Sequence, residues 1–280
     1  MNALELRKLT KSFGTFTLGP LDLTLPSGCI MGLVGQNGAG KSTTIRLILD
    51  ILHKDGGEIR LLGQDHRNNL PLTKEYVGVV PDTVGLPGSL TAKQIGSVMR
   101  RTFRTWNPAA YRDYLDKLSL PDDLAFEKFS LGMTKKLGIA IAMSHDTRLL
   151  ILDEATSGLD PVVREQILEL LMDFTRDETH SVLLSSHIVS DLEKVCDYVA
   201  FLHNGQLMLC EEKDRLLEEY ALVHCSAEEL ARIPKGAVRY KKESVYGAKA
   251  IVLRSLAPAD LRLTPVTLEE LFIFMAKEAN

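Results

Sequence analysis

The 280-residue sequence predicts an α/β fold in which a parallel sheet is wrapped by helices, and two patterns carry that prediction. The first is alternation. Strand-like Cys29 to Val34 is followed by helix-like Lys41 to Leu52, strand-like Val77 to Val80 and Leu149 to Leu152, helix-like Pro161 to Phe174 and strand-like Val182 to Ser185. The second is that the runs at 29–34 and 149–152 are continuously apolar, as central strands covered on both faces are. Hydrophobic residues make up 45% of the chain, enough for one large core and a small second one.

The remaining segments complete the plan. At the N-terminus Leu4 and Leu6 alternate with Glu5 and Arg7, which reads as a strand rather than a cleaved leader. From about 86 to 145 the pattern is helical, with a basic and aromatic stretch, Met99 to Trp106, and a break at Asn107-Pro108, so a helical subdomain inserted into the sheet domain is expected. Tyr198 to His203 and Gln206 to Cys210 flank Asn204-Gly205, whose residue types suit the positive φ angles of a tight hairpin. Beyond Leu216, short strands at Ala221 to Cys225, Ala237 to Tyr240 and Ala250 to Arg254 precede a last helix. That helix opens with Thr267 and Glu270 at capping-box spacing and aligns Leu268, Leu271, Phe272 and Met275 on one face. The expected organisation is a sheet domain over 1–215, with its helical subdomain at 86–145, and a small α+β accessory domain over 216–280.

Several classes are disfavoured. A net charge of -4 is a poor match for binding nucleic acid by phosphate neutralisation, so no nucleic-acid partner is expected. Cys29, Cys196, Cys210 and Cys225 are scattered without a Cys-x-x-Cys pair, which suggests neither a zinc site nor a disulfide framework and fits a reducing compartment. The longest apolar runs fall far short of the roughly 20 residues of a membrane-crossing helix. If the protein serves a membrane, another chain must span it.

The chemistry starts at Gly35-Gln36-Asn37-Gly38-Ala39-Gly40-Lys41-Ser42, which fits Gly-x-x-x-x-Gly-Lys-Ser between a buried strand and a helix. In such a P-loop, Gly35, Gly38 and Gly40 let the backbone curl so that N–H groups, including those around Asn37 and Thr43, face phosphate oxygens. Lys41 reaches the terminal phosphates, and the Ser42 hydroxyl binds Mg²⁺. The second half of the site is Leu149-Leu150-Ile151-Leu152-Asp153-Glu154, a buried strand ending in two carboxylates. Asp153 would stand on the Mg²⁺ side, and Glu154 would accept or orient the proton of an attacking water. The fold is therefore expected to be a P-loop NTPase sheet core.

Four further elements, in order along the chain, resemble the ATP-binding cassette family. Phe129-Ser130-Leu131-Gly132-Met133 resembles the Leu-Ser-Gly-Gly-Gln signature, matching it at Ser130 and Gly132 and departing from it at Phe129, Leu131 and Met133. Ser157-Gly158-Leu159-Asp160 resembles the D-loop, His187 the switch histidine, and Phe13 the aromatic that stacks on adenine. The resemblance covers about residues 4 to 215. It implies ATP and Mg²⁺ as ligands and ATP hydrolysis as the activity. It also implies a second cassette as partner, in a homodimer or heterodimer where Ser130, Gly132, Met133 and Asp160 act on the partner's nucleotide. A separate integral membrane subunit is implied too, with a place at the cytoplasmic face of the cell membrane. Taken singly, each element has a plainer reading. Asp160-Pro161 is an ordinary helix cap and first-turn pair, Ser130 another cap, and Phe13 and His187 serviceable core or structural residues.

One position departs from the family. After Val77 to Val80, Pro81 is followed by Asp82, where the family usually places a glutamine at Mg²⁺ or the attacking water. Asp82 is capable of ligating Mg²⁺, and it also brings negative charge toward the γ-phosphate. Trp106-Asn107-Pro108 and Thr267 to Phe274 resemble segments of bacterial exporter ATPases, and the short tail is unlike the regulatory barrels of many sugar importers. An exporter subunit is thus the expectation, and a nucleotide-sensing, low-activity cassette beside a competent partner is the alternative.

Overall fold

In the computed structural model, which describes residues 1–65, 73–244 and 247–278, the chain opens on β1 (Asn2–Phe13) and β2 (Phe16–Pro26), an antiparallel pair. Leu4, Leu6 and Leu9 on β1 and Leu21, Leu23 and Leu25 on β2 are buried while most of their neighbours are not, which is the alternation of strands with one covered face. β3 (Ile30–Val34) is buried at every position and leads through the P-loop into α1 (Lys41–Ile48). β4 (Gly56–Leu61) and β5 (Gln64–Asp65) then return to β1, giving a four-stranded sheet in the order β2-β1-β4-β5. Single-sheet reasoning from the apolar runs did not anticipate this second, antiparallel sheet. It exists because strands with one apolar face must lay that face on something, and here they lay it on one side of the central sheet.

β6 (Val77–Val80) enters that central sheet, and the chain leaves it for the helical insert. There α2 (Ala92–Thr102) carries a Thr91/Gln94 capping box, and α3 (Pro108–Lys117) is capped by Asn107 with Pro108 in its first turn. Buried Trp106 packs on Tyr111, ring centroids 5.1 Å apart. α4 (Leu131–Ala142) begins at Ser130 and leads back to β7 (Leu149–Asp153), α5 (Pro161–Phe174), β8 (Ser181–Ser186), α6 (Val189–Val195), β9 (Tyr198–His203) and β10 (Gln206–Glu212). The central sheet runs β10-β9-β3-β8-β7-β6, parallel except for β10. The β9/β10 turn has Asn204 at φ 45 and Gly205 at φ 79, both positive as the dipeptide implies.

Each central strand feeds two cores. Met31, Leu33, Ile151 and Leu183 face the antiparallel sheet and α1, whereas Ile30, Val34, Leu150 and Leu152 face the helices. Both faces being covered explains why these strands are continuous runs in sequence.

The chain continues through α7 (Lys213–Glu219), β11 (Tyr220–Cys225), α8 (Ala227–Arg232), β12 (Val238–Ser244), β13 (Gly247–Leu253), β14 (Leu263–Thr264) and α9 (Leu268–Glu278). The third sheet runs β12-β13-β11-β14. Ala221, Val223, Ala250 and Val252 close a small core over Leu230 and Ile233. Leu222 and Ile251, pointing the other way, join Leu268, Leu271 and Phe272 in the main core, where Phe272 meets Phe201 edge-on with centroids 5.5 Å apart. The capping box of α9 forms, with Glu270 N donating to Thr267 Oγ1 at 3.2 Å and Thr267 N donating to Glu270 Oε2 at 3.1 Å. Among the described residues no helix is long and apolar enough to cross a membrane.

Candidate ATP site

The site lies at the carboxyl ends of the parallel strands, where an open α/β sheet leaves a crevice. The loop after β3 is shaped by glycines: a Cβ at Gly35 would fall 2.6 Å from the Leu202 carbonyl oxygen, and Gly40 adopts φ 110 at the start of α1. Lys41 is only 5% exposed; its Nζ donates to Gly35 O at 2.7 Å and stands 3.1 Å from Glu154 Oε1. A cavity of about 510 Å³ opens over this loop. Phe13, Asn37, Gly38, Gly40, Ser42 and Thr43 line it, together with Asp82 and Glu154 from across the crevice.

The carboxylates at the end of β7 are braced from β8. Ser185 Oγ donates to Asp153 Oδ1 at 2.6 Å and accepts from Glu154 N at 3.1 Å. Asp153 is buried behind the cavity wall rather than lining it. Glu154 has φ 51, a left-handed backbone that an unbranched L-residue adopts only under constraint. Its side chain is gripped on both oxygens: His187 Nδ1 lies 2.7 Å from Oε2, and Lys41 stands beside Oε1. The Lys41 contact lacks hydrogen-bonding alignment, so Glu154 Oε1 is a buried acceptor with no hydrogen bond. A buried carboxylate oxygen in that condition suits a group whose partner arrives with a ligand.

Phe13, Gly35, Asn37, Gly38, Gly40, Lys41, Ser42, Thr43, Asp82, Glu154 and His187 thus converge. Sequence reasoning missed several contributors, Arg46 and Leu52 of the cavity lining among them. Phe16 lines the cavity three residues after Phe13, and that i+3 spacing across a short turn was a readable signal. Ser185 is one of three serines in β8, Ser181 and Ser186 being the others, and nothing in the sequence singled it out. Lys135, 2% exposed, donates to the carbonyl of Asp82, to Asp82 Oδ1 at 3.2 Å and to Glu154 O at 3.3 Å. Helical periodicity alone gives no reason to bury a lysine.

The signature and D-loop residues form a separate surface. Ser130 caps α4, accepting from Met133 N at 3.2 Å, and Asp160 caps α5, accepting from Val162 N and Val163 N at 3.1 and 3.0 Å. Gly132 sits beside Val163 and Leu159, which places the two segments together. Neither Ser130, Gly132, Met133 nor Asp160 lines the cavity. Ser130 and Asp160 are exposed, as are Leu131 at 51% and Val162 at 68%.

A family model described as ABC transporter matches residues 18–157. The bacitracin transport ATP-binding protein BcrA of Enterococcus faecalis is 31% identical over 208 residues, covering 73% of this chain and 68% of that protein. The chain belongs to the ABC transporter family. Similarity to the ABC transporter ATP-binding protein YtrB of Bacillus subtilis (strain 168) extends over 96% of this chain and 97% of that protein at 29% identity. A solved structure of an ATP-binding subunit of an ABC transporter superposes with a TM-score of 0.68 at 27% identity, over 76% of this chain and 91% of its own. The chain is accordingly an ATP-binding protein of the ABC ATPase class, and its α/β core is the fold of that class.

Proposed function

We propose that this chain is the ATP-hydrolysing subunit of a bacterial exporter, working as a pair of cassettes beneath a separate membrane subunit at the cytoplasmic face. The observation that carries the reading is the meeting of Lys41 and His187 on the two oxygens of Glu154 at the wall of the P-loop cavity. Glu154 is the group that accepts a proton from water as the water oxygen attacks the terminal phosphorus and the bridging oxygen leaves with ADP. His187 orients that carboxylate, and Lys41 brings positive charge to the phosphate end of the cavity. Phe13, 40% exposed at the cavity rim beside Phe16, offers a flat apolar surface for a nucleotide base.

Ser42 and Asp153 supply the hard oxygen donors that suit Mg²⁺, which when bound would neutralise charge on phosphate oxygens. Ser185 keeps the Asp153 carboxylate fixed for that role.

Ser130, Gly132, Met133 and Asp160 are assigned to the nucleotide of a second cassette, because Ser130 and Asp160 are exposed, half-buried Gly132 lies between their two segments, and none of the four lines this chain's own cavity. Residues 1–215 would form the cassette, with its helical subdomain at 86–145, and 216–280 an accessory unit. The export assignment rests on Trp106-Asn107-Pro108 and Thr267 to Phe274, and on similarity to a bacitracin transport protein. Phosphate release by the purified chain tests the reading. Measurable turnover that disappears in Glu154→Gln, with ATP still bound, supports it. Tight ATP binding without phosphate release in the wild type would favour a nucleotide-sensing cassette instead.

A further inference from the structure

Lys135, at 2% exposure, is among the largest fully buried side chains of the described residues. A lysine ammonium removed from water must find a counter-charge and acceptors for its three donors. Lys135 finds all three on two loops that border the nucleotide cavity: the carbonyl and Oδ1 of Asp82 after β6, and the carbonyl of Glu154 after β7. Asp82 is the one carboxylate in this set. It also stands where the family usually has glutamine, and a glutamine there would leave the Lys135 charge uncompensated.

The Glu154 contact has a specific consequence. Glu154 keeps a left-handed backbone, φ 51, with its N–H held by Ser185 and its C=O held by Lys135. The peptide groups on either side of a strained residue are thereby pinned, and the direction of its carboxylate follows from them. Lys135 sits on α4 five residues after Ser130, so this one side chain links the helix that begins at the signature, the Asp82 loop and the backbone of the catalytic carboxylate.

We propose that Lys135, charge-balanced by Asp82, is a positioning residue that holds the Glu154 loop in its strained, hydrolysis-ready conformation, and that Asp82 acts as the counter-ion of Lys135 rather than as a Mg²⁺ ligand. The inference rests on the assignment of Glu154 as proton acceptor, but the brace has a readout independent of that assignment. Amide hydrogen exchange on the nucleotide-free chain should show residues 154–158 exchanging about fivefold faster in Lys135→Met and in Asp82→Asn, with the rest of the sheet unchanged. In both variants kcat should fall about tenfold while the Kd for ATP stays within about twofold, since positioning and not binding is lost. The double variant should be no slower than the slower single, because both substitutions cut one link. The midpoint of the Mg²⁺ titration of hydrolysis should not move in Asp82→Asn. Lys136→Gln, one residue along and bonded to the Leu118 carbonyl, is the control that leaves exchange and turnover unaltered.

Asp82 has a side chain 62% exposed, so Asp82→Asn opens no cavity in the core, and it carries the test alone where Lys135→Met does not fold. Unchanged exchange at 154–158, additive losses in the double variant, or a shifted Mg²⁺ midpoint would each overturn the proposal. A wild-type chain that binds ATP without hydrolysing it would instead overturn the functional reading, leaving the exchange data to decide the brace.

Discussion

Lys41, Glu154 and Lys135 on the cavity side are between 2% and 9% exposed and each has an ionic partner within the chain, whereas Ser130 and Asp160 on the signature side are exposed and spend their side chains capping their own helices. One side is a cross-braced site whose buried charges are already paired. The other is a pair of neighbouring helix starts, with exposed apolar Leu131 and Val162 beside them. A braced site tolerates substitution poorly because removing one charge strands another. A capping surface loses only a cap within the monomer, so any larger effect must come from a partner. The difference teaches where to look for each kind of damage.

The largest expected effect is on the cavity side. Glu154→Gln keeps the shape and removes the proton acceptor, so kcat should fall at least about a hundredfold with ATP affinity retained. Wild-type phosphate release from that variant would remove Glu154 from the reaction. Next is the junction between the main core and the tail. Phe272 packs edge-on against Phe201, so Phe272→Ala should cost about 3 kcal/mol in denaturant unfolding. A loss below about 1 kcal/mol would mean that the tail contributes little to the main core.

On the signature side, Asp160→Ala should destabilise the isolated monomer by about 1 kcal/mol, the worth of a cap, while reducing hydrolysis far more than that cost explains. Proportionate losses in stability and turnover would make Asp160 a cap and nothing else.

The smallest effect is a pH dependence at a residue that lines neither surface. His145, stacked on Phe103 at 4.0 Å, has its pKa lowered by burial, against the opposing pull of its hydrogen bond to Glu75 O and of the nearby Glu75 and Asp146 charges. The unfolded chain therefore binds a proton here at a pH where the folded chain does not, and stability from this residue is lost as pH falls below about 6.5. His145→Phe should flatten that part of the stability profile, and an unchanged slope in acid unfolding curves would refute the assignment.

Much of this contrast was legible in the residues. Val77 to Val80, Pro161 to Phe174 and the Asn204-Gly205 hairpin stand where their patterns put them, because continuous apolar runs, a capped amphipathic face and a two-residue turn are local signals. The P-loop and the Asp153-Glu154 pair were readable for the same reason. The β2-β1-β4-β5 sheet was not, since its partner strands are separated by β3 and α1, although the alternation of Leu21, Leu23 and Leu25 hinted at a one-faced strand. Lys135 was invisible, because its burial depends on two loops distant in sequence. Ser130 and Asp160 were legible as caps, and the cavity geometry adds that neither reaches this chain's own P-loop.

In the proposed pairing the cavity of one chain is completed by the signature face of another. Sedimentation velocity of Glu154→Gln with and without ATP, beside Glu154→Gln/Ser130→Arg, tests it most directly. ATP should convert the single variant to a dimer, since a bound nucleotide that is not discharged stabilises the paired state. The double variant should stay monomeric with its ATP binding nearly intact, because the added side chain obstructs the exposed face and spares the P-loop. A single variant that remains monomeric at saturating ATP, or a double variant that still dimerises, would contradict the account and point to a site complete within one chain.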